Sequence, residues 1–135
     1  PVSDAMYYPD YGPETSARDI GDSAILELVG LGGAAAAGSP AVAGFLGGSM
    51  SDAVAVTEEM QTICVGQSSR FKLPTWNNTG TPLGVDARSV VELNTTPKVT
   101  TGILHASSGV GQIGAGVAAA PPACFRAAVL ALAES

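Results

Sequence analysis

Residues 104–122 read LHASSGVGQIGAGVAAAPP, which sets the single histidine of the chain, His105, just ahead of the pattern G-V-G-Q-I-G-A-G. Two kinds of chemistry fit these residue types. Backbone N–H groups unhindered by a Cβ, at Gly109, Gly111, Gly114 and Gly116 around Gln112, can form a nest for a carboxylate or phosphate oxygen, with Ser107 and Ser108 assisting. His105 can act as a general acid or base, or hydrogen-bond a substrate oxygen. The competing structural reading gives the glycines positive φ and close packing, and gives His105 a packed ring with one satisfied nitrogen.

Other candidates carry the same ambiguity. Asp86 and Arg88 read either as a helix cap with a solvated neighbour or as a base with an anion anchor. Asp19, Asp22 and Glu27 resemble a carboxylate group, although Asp22 also suits a helix cap. A dinucleotide site is rejected because Pro121 and Pro122 break any helix soon after Gly109, Gly111 and Gly114, and no second strand follows. A phosphate-binding P-loop fails because no Lys followed by Ser or Thr closes the pattern. One His and no paired Cys rule against a metal site. Cys64 and Cys124 are expected to be buried free thiols in helices.

The elements that must position these residues follow from caps, breakers and periodicity. Residues 1–16, rich in Tyr, Pro and Asp, read as an extended lead-in, and 17–135 as a single domain with a glycine-rich loop at 107–116. A helix is expected from Ser23 to Val29, stopped by Gly32 and Gly33. Ser39 and Pro40 open a short apolar helix that ends at Gly47 and Gly48. Ser51 caps the next helix, where Ala53, Val56, Met60, Ile63 and Cys64 recur at helical spacing. Phe71 to Leu73 alternate as a short strand, and Asn77 to Pro82 is a loop by composition. Asp86 caps a helix over Ala87 to Leu93, and Lys98 to His105 is a β-branched strand running into the glycine loop. After Pro121 and Pro122 a final helix places Phe125, Ala128, Val129 and Leu132 on one face. The fold class is therefore α/β or α+β: several short Ala/Gly-rich helices around a few short strands, forming one compact domain or part of a larger one.

Composition bounds the partners. The 135 residues are 46% hydrophobic and only 13% charged, against about a quarter charged in an ordinary soluble domain, so much of the surface is expected to be covered by other protein, with residues 32–48 as the contact face. The net charge of −6 and six scattered basic residues exclude a nucleic-acid surface. The uncharged run from Leu28 to Ser51 is too interrupted by glycine and too rich in alanine for a membrane span. With no secretory signal pattern, a cytoplasmic location is expected.

Several blocks together resemble a bacterial family, associated with ureide breakdown, that includes the large subunit of oxamate carbamoyltransferase. They are DIGDSAILELVGLGG (19–33), SPAVAGFLGGS (39–49), GTPLGVDARSVVE (80–92), TTGILHASSGVGQIGAG (100–116) and PPACFRAAVLALAE (121–134). The similarity spans about residues 17–135 and looks like the C-terminal portion of the family's longer chain. Gly84, Val85, Asp86 and Arg88 match a Gly-Ile-Asp-x-Arg arrangement; His105, Gly109, Gly111, Gln112, Gly114, Ala115 and Gly116 match the loop block. The sequence departs from the family at Ala106, where a basic residue is usual, and at Glu92-Leu93-Asn94 in place of Glu-Thr-Gly.

The resemblance implies work on a small anionic amide or ureide, most concretely carbamoyl transfer between an amide nitrogen and phosphate, with other subunits or the rest of a longer chain as partners and no cofactor. Positioning and electrostatic stabilisation would do most of that catalysis. It gives His105 and Asp86 catalytic parts, and gives substrate binding to Arg88, Asp22, the two serines and the glycine run. The alternatives are a non-catalytic assembly subunit and an amide hydrolase on the same scaffold.

Overall fold

The computed structural model describes residues 4–19, 24–39, 44 and 48–135. Two antiparallel sheets and a set of short helices give an α+β fold. The first sheet has three strands, β1 (Asp4–Tyr7), β5 (Gln112–Ala119) and β4 (Lys98–Leu104), with β5 in the middle. The second is a hairpin of β2 (Cys64–Leu73) and β3 (Thr79–Val85). The helices are α1 (Ala24–Leu28), α2 (Met50–Thr62), α3 (Ala87–Leu93) and α4 (Pro122–Ala133), with a 3-10 helix over Gly32–Gly38.

That 3-10 helix is the centre of the packing. Its sequence, GGAAAAG, has no side chain beyond a methyl, so it lies against α2 with Gly33, Ala34, Ala36 and Ala37 buried. One core cluster joins Ala34, Met60, Ile63 and Val90, with Val85 and Phe125 packed against it; a second joins Ala36 and Ala53. An added Cβ at Gly33 would lie 2.2 Å from the carbonyl oxygen of Lys98, so only glycine lets this helix reach β4. Gly33, Ala34, Ala36 and Ala37 are therefore interior to this chain and not available as the expected contact face, whereas Gly38 is exposed. Of the expected helix after Pro40 only Gly44 is described, and it is helical; the cap at Asp22 lies outside the described residues.

Glu27 fastens this arrangement. Its side chain is 1% exposed, and Oε1 accepts from the backbone N–H of Gly33 at 3.1 Å and of Thr100 at 3.3 Å. One carboxyl thus joins α1, the 3-10 helix and β4. Oε2 is buried and has no hydrogen-bond partner among the described residues. Burial raises the pKa of the group above its ordinary 4.5, and the backbone donors only partly oppose the shift.

Local signals account for several elements. Asp86 accepts from Arg88 N–H at 2.9 Å and starts α3 where expected. The start of α2 differs from expectation: Ser49 is the cap, with Asp52 Oδ2 accepting from its N–H, so the helix begins two residues before the position Ser51 suggests. Gly30, at φ +82°, closes α1 ahead of Gly32 and Gly33. The hairpin is longer than its composition suggests. β3 covers most of the stretch expected as loop, because Gly80 sits on the backbone of Ser68, where an added Cβ would lie 2.1 Å from the carbonyl oxygen. Asn77 and Asn78, at φ +53° and +54°, make the turn before it.

The cysteines also differ from expectation. Cys64 opens β2 and is half-buried, and Cys124 is exposed on α4.

The raised pKa of Glu27 fixes the sign of a pH effect. The folded chain holds this proton more tightly than the unfolded chain, so its stabilising contribution is complete below the unfolded value and is lost as pH rises through the folded one. Glu27→Gln keeps an acceptor for Gly33 and Thr100 but cannot ionise. Thermal melts followed by circular dichroism should therefore show the wild-type melting temperature falling relative to Glu27→Gln as pH rises above the ordinary carboxylate range. Parallel profiles would mean that the carboxyl is solvated.

Candidate functional site

The expected site residues fall in two places. The first is the tip of the β4–β5 hairpin. His105 follows β4, its N–H donates to Gly111 O at 2.9 Å, and residues 105–111 close the turn. The lead-in straps this turn from outside: Ala106 N–H donates to Thr15 O and Ala17 N–H to Leu104 O, both at 2.8 Å. Tyr11 sets its ring against His105 edge-on, with centroids 5.8 Å apart and planes at 78°. Tyr11 and Thr15 were not singled out by the sequence, since nothing local connects them with a residue some ninety positions away.

The His105 ring has a defined role in this geometry. Its Nδ1 accepts from the backbone N–H of Ser107 at 2.9 Å. An amide can only donate, so Nδ1 carries no proton and the neutral ring bears its hydrogen on Nε2. The free edge of His105 therefore offers an N–H donor suited to a carbonyl or developing oxyanion. Ser107 and Ser108 are exposed beside it, and among the described residues the N–H groups of Ser108 and Gly109 make no hydrogen bond.

The glycines of the motif divide by cause. Gly109 and Gly111 have φ of +87° and +92°, and an added Cβ at either would meet nothing within 4 Å. They serve the turn conformation and leave its outer side open. Gly114 and Gly116 lie in β5, so the loop is shorter than expected and ends at Gly111. At Gly114 an added Cβ would lie 2.3 Å from Met6 O, which is how β1 comes to lie flat on the central strand. Gly116 pairs with Ala5 on one side and Thr101 on the other. Gln112 turns its amide to Gly114 O at 3.0 Å along its own strand. A nest of successive N–H groups is thus confined to the part of the run before β5.

The second place is the start of α3. Arg88 donates through Nε to Asp86 Oδ1 at 3.0 Å and through Nη2 to Oδ2 at 2.8 Å, with side chains 76% and 17% exposed respectively. The pair borders an open cavity of about 740 Å³, walled also by Val65, Val85, Val129 and Leu132. The side-chain hydrogen bond from Arg88, reinforced by its backbone N–H, holds the Asp86 carboxyl below the usual range, which makes it a poor proton acceptor at neutral pH. Half of the guanidinium fork is committed to Asp86. An incoming carboxylate must share or displace that bond. No hydrogen bond, ion pair or ring contact among the described residues joins this pair to His105. Asp22 lies outside the described residues. No group of three or more potential metal ligands occurs among the described residues, and no described helix is long and apolar enough to cross a membrane.

No family model matches the chain. It is 46% identical over 131 residues to the oxamate carbamoyltransferase subunit AllG of Escherichia coli K12, a match covering 96% of this chain and 31% of that protein. It is 38% identical over 127 residues to the uncharacterized protein YahG of the same organism, covering 94% and 27%. A crystal structure of a conserved protein of unknown function from Enterococcus faecalis V583 superposes with a TM-score of 0.91 at 33% identity, over 99% of this chain and 32% of that one. The chain thus spans about a third of the length of the relatives it matches.

The two classes of glycine predict different costs for an added methyl. Gly109→Ala and Gly111→Ala meet open space and should lose about 1–2 kcal/mol through backbone strain alone. Gly114→Ala must push β1 away, and should lose more and speed hydrogen exchange at Tyr8 N–H, which donates to Ile113 O. Equal losses in urea unfolding for all three variants would contradict this division.

Proposed function

Because the chain matches a portion of a carbamoyltransferase subunit, we propose that it supplies the hairpin-tip part of a site for carbamoyl transfer on a small amide, in a larger cytoplasmic enzyme. The observation that carries this reading is the fixed His105 ring, with Nε2–H directed away from its Ser107 bond, above a turn whose outer side is open. In carbamoyl transfer from an amide to phosphate, a phosphate oxygen attacks the carbamoyl carbon. The carbonyl oxygen gains charge, the carbon–nitrogen bond breaks, and the departing nitrogen takes a proton. His105 Nε2–H and the N–H groups of Ser108 and Gly109 stabilise the charged oxygen. Arg88 anchors a substrate carboxylate by exchanging Asp86 for it, since the planar fork suits either partner. Water in place of phosphate would make the same site a hydrolase, and the name of the relative favours transfer.

A donor role and an acid–base role for His105 are separable in the assembled enzyme. Glutamine can still donate a hydrogen bond and alanine cannot. His105→Ala should lower kcat about 10²–10³-fold, the usual loss for an oxyanion donor, while His105→Gln keeps a substantial part of the rate. Steady-state assay of phosphate-dependent cleavage of an oxamate-type carbamoyl amide checks this. An unchanged kcat for His105→Ala would remove the hairpin tip from the chemistry.

A further inference from the structure

The surface least accounted for by this chain is around α4. Its twelve residues include no buried side chain, and its one charge is Arg126. Phe125 and Val129 face the body but are only half covered; Leu130 and Leu132 are 64% and 67% exposed. Gaps lie on both sides of that contact. On one side is the cavity of about 740 Å³ between α4, Val65 and the start of α3. On the other a more enclosed cavity of about 230 Å³ runs between Phe125, Val85 and the exposed apolar face of α1, where Ile25 is 69% exposed. Val85 borders both. A single apolar face therefore extends from α1 across the end of β3 to α4.

The whole chain exposes 7783 Å² at 13.4 kDa. A folded monomer of that mass exposes about 6,500 Å². The surplus exceeds the roughly 800 Å² that one partner contributes to a standard interface. Each of the three matched relatives is about three times as long as the matched portion, so each carries a large amount of additional chain for which such a face is suited.

We propose that the α1–β3–α4 face is the docking surface for the remaining two-thirds of an AllG-length polypeptide, whose apolar side chains fill the two cavities flanking the Phe125–Val129 contact. This does not rest on the carbamoyl-transfer reading, because the face is defined by packing: it shares no residue with the His105 turn, and it meets the Asp86–Arg88 pair only at the wall of the larger cavity. The partner surface is apolar and nearly uncharged, to match Ile25, Leu28, Val65, Leu130 and Leu132, with acidic groups admitted only beside Arg126 and the exposed edge of Arg88. Docking also covers the mouth of the cavity beside Arg88 and withdraws that guanidinium from bulk water.

The test compares this 135-residue chain with full-length AllG in which these residues replace the 46%-identical portion. Amide hydrogen exchange over residues 122–133 should be at least tenfold slower in the full-length chain, while the β4–β5 hairpin changes little. Leu132→Lys should leave the melting temperature of the short chain unchanged and lower that of the full-length protein. Equal exchange over α4 in the two, or a full-length protein indifferent to Leu132→Lys, overturns the proposal. Light scattering on the short chain tests it independently of the replacement: a stoichiometric dimer that Leu132→Lys dissociates would assign the face to a second copy and overturn it, whereas a monomer is the expected result.

Discussion

The arrangement depends on one buried carboxyl. Glu27 accepts from an N–H on the 3-10 helix and an N–H on β4 with a single oxygen, and so sets the distance between the helical layer and the three-stranded sheet. Without it the buried amide of Gly33 would lose its partner, at about 1–3 kcal/mol, and the part-buried amide of Thr100 would lose its own. The contact is polar, but its position is set by small residues around it. Gly32 and Gly33 leave room for the carboxyl and for the Lys98 carbonyl, at positions where a methyl group would collide with each. From there the influence runs along β4 to Leu104 and His105, so the hairpin tip is carried by a strand anchored at its buried end.

The sequence reveals those parts of the fold that local chemistry decides. Asp86 capping α3, the β-branched run of β4 and the proline start of α4 are local signals, and the structure has all three. It conceals the parts decided by backbones meeting across the chain. The Thr-Gly-Thr-Pro stretch of β3 and the Gly-Ala-Gly stretch of β5 read as loop by composition, yet each is a strand because the absence of a Cβ lets a neighbouring strand come close. The same glycines that suggest a ligand cradle thus serve, beyond Gly111, to bring main chains together. The candidate site divides in the same way: His105 is visible in the sequence, whereas its neighbours Tyr11 and Thr15 come from the other end of the chain.

Separation of the His105 turn from the Asp86–Arg88 pair has a chemical meaning. Arg88 is paired through half of its fork with Asp86, and His105 with Ser107, so each is held in place without a ligand. Pre-held groups lose little entropy on binding, so positioning would be the main source of rate in the proposed reaction. Neither group alone encloses a ligand. In the proposed site, additional chain of the kind its longer relatives carry would provide the opposite wall.

The strap across the hairpin bears on how the chain is made. Residues 4–17 are synthesised before the strands they join, since β1 adds to the edge of β5, and Thr15 and Ala17 bond to the β4–β5 turn. None of these partners exists until about a hundred further residues have been synthesised. This segment therefore precedes its partners by a long stretch of synthesis, and its unpaired strand must wait without finding another edge. Contacts this distant in sequence slow folding and prolong the exposure of such segments. The tyrosines and proline of this segment resist premature pairing less by charge than by shape, since Pro9 and Pro13 interrupt it on either side of Tyr11.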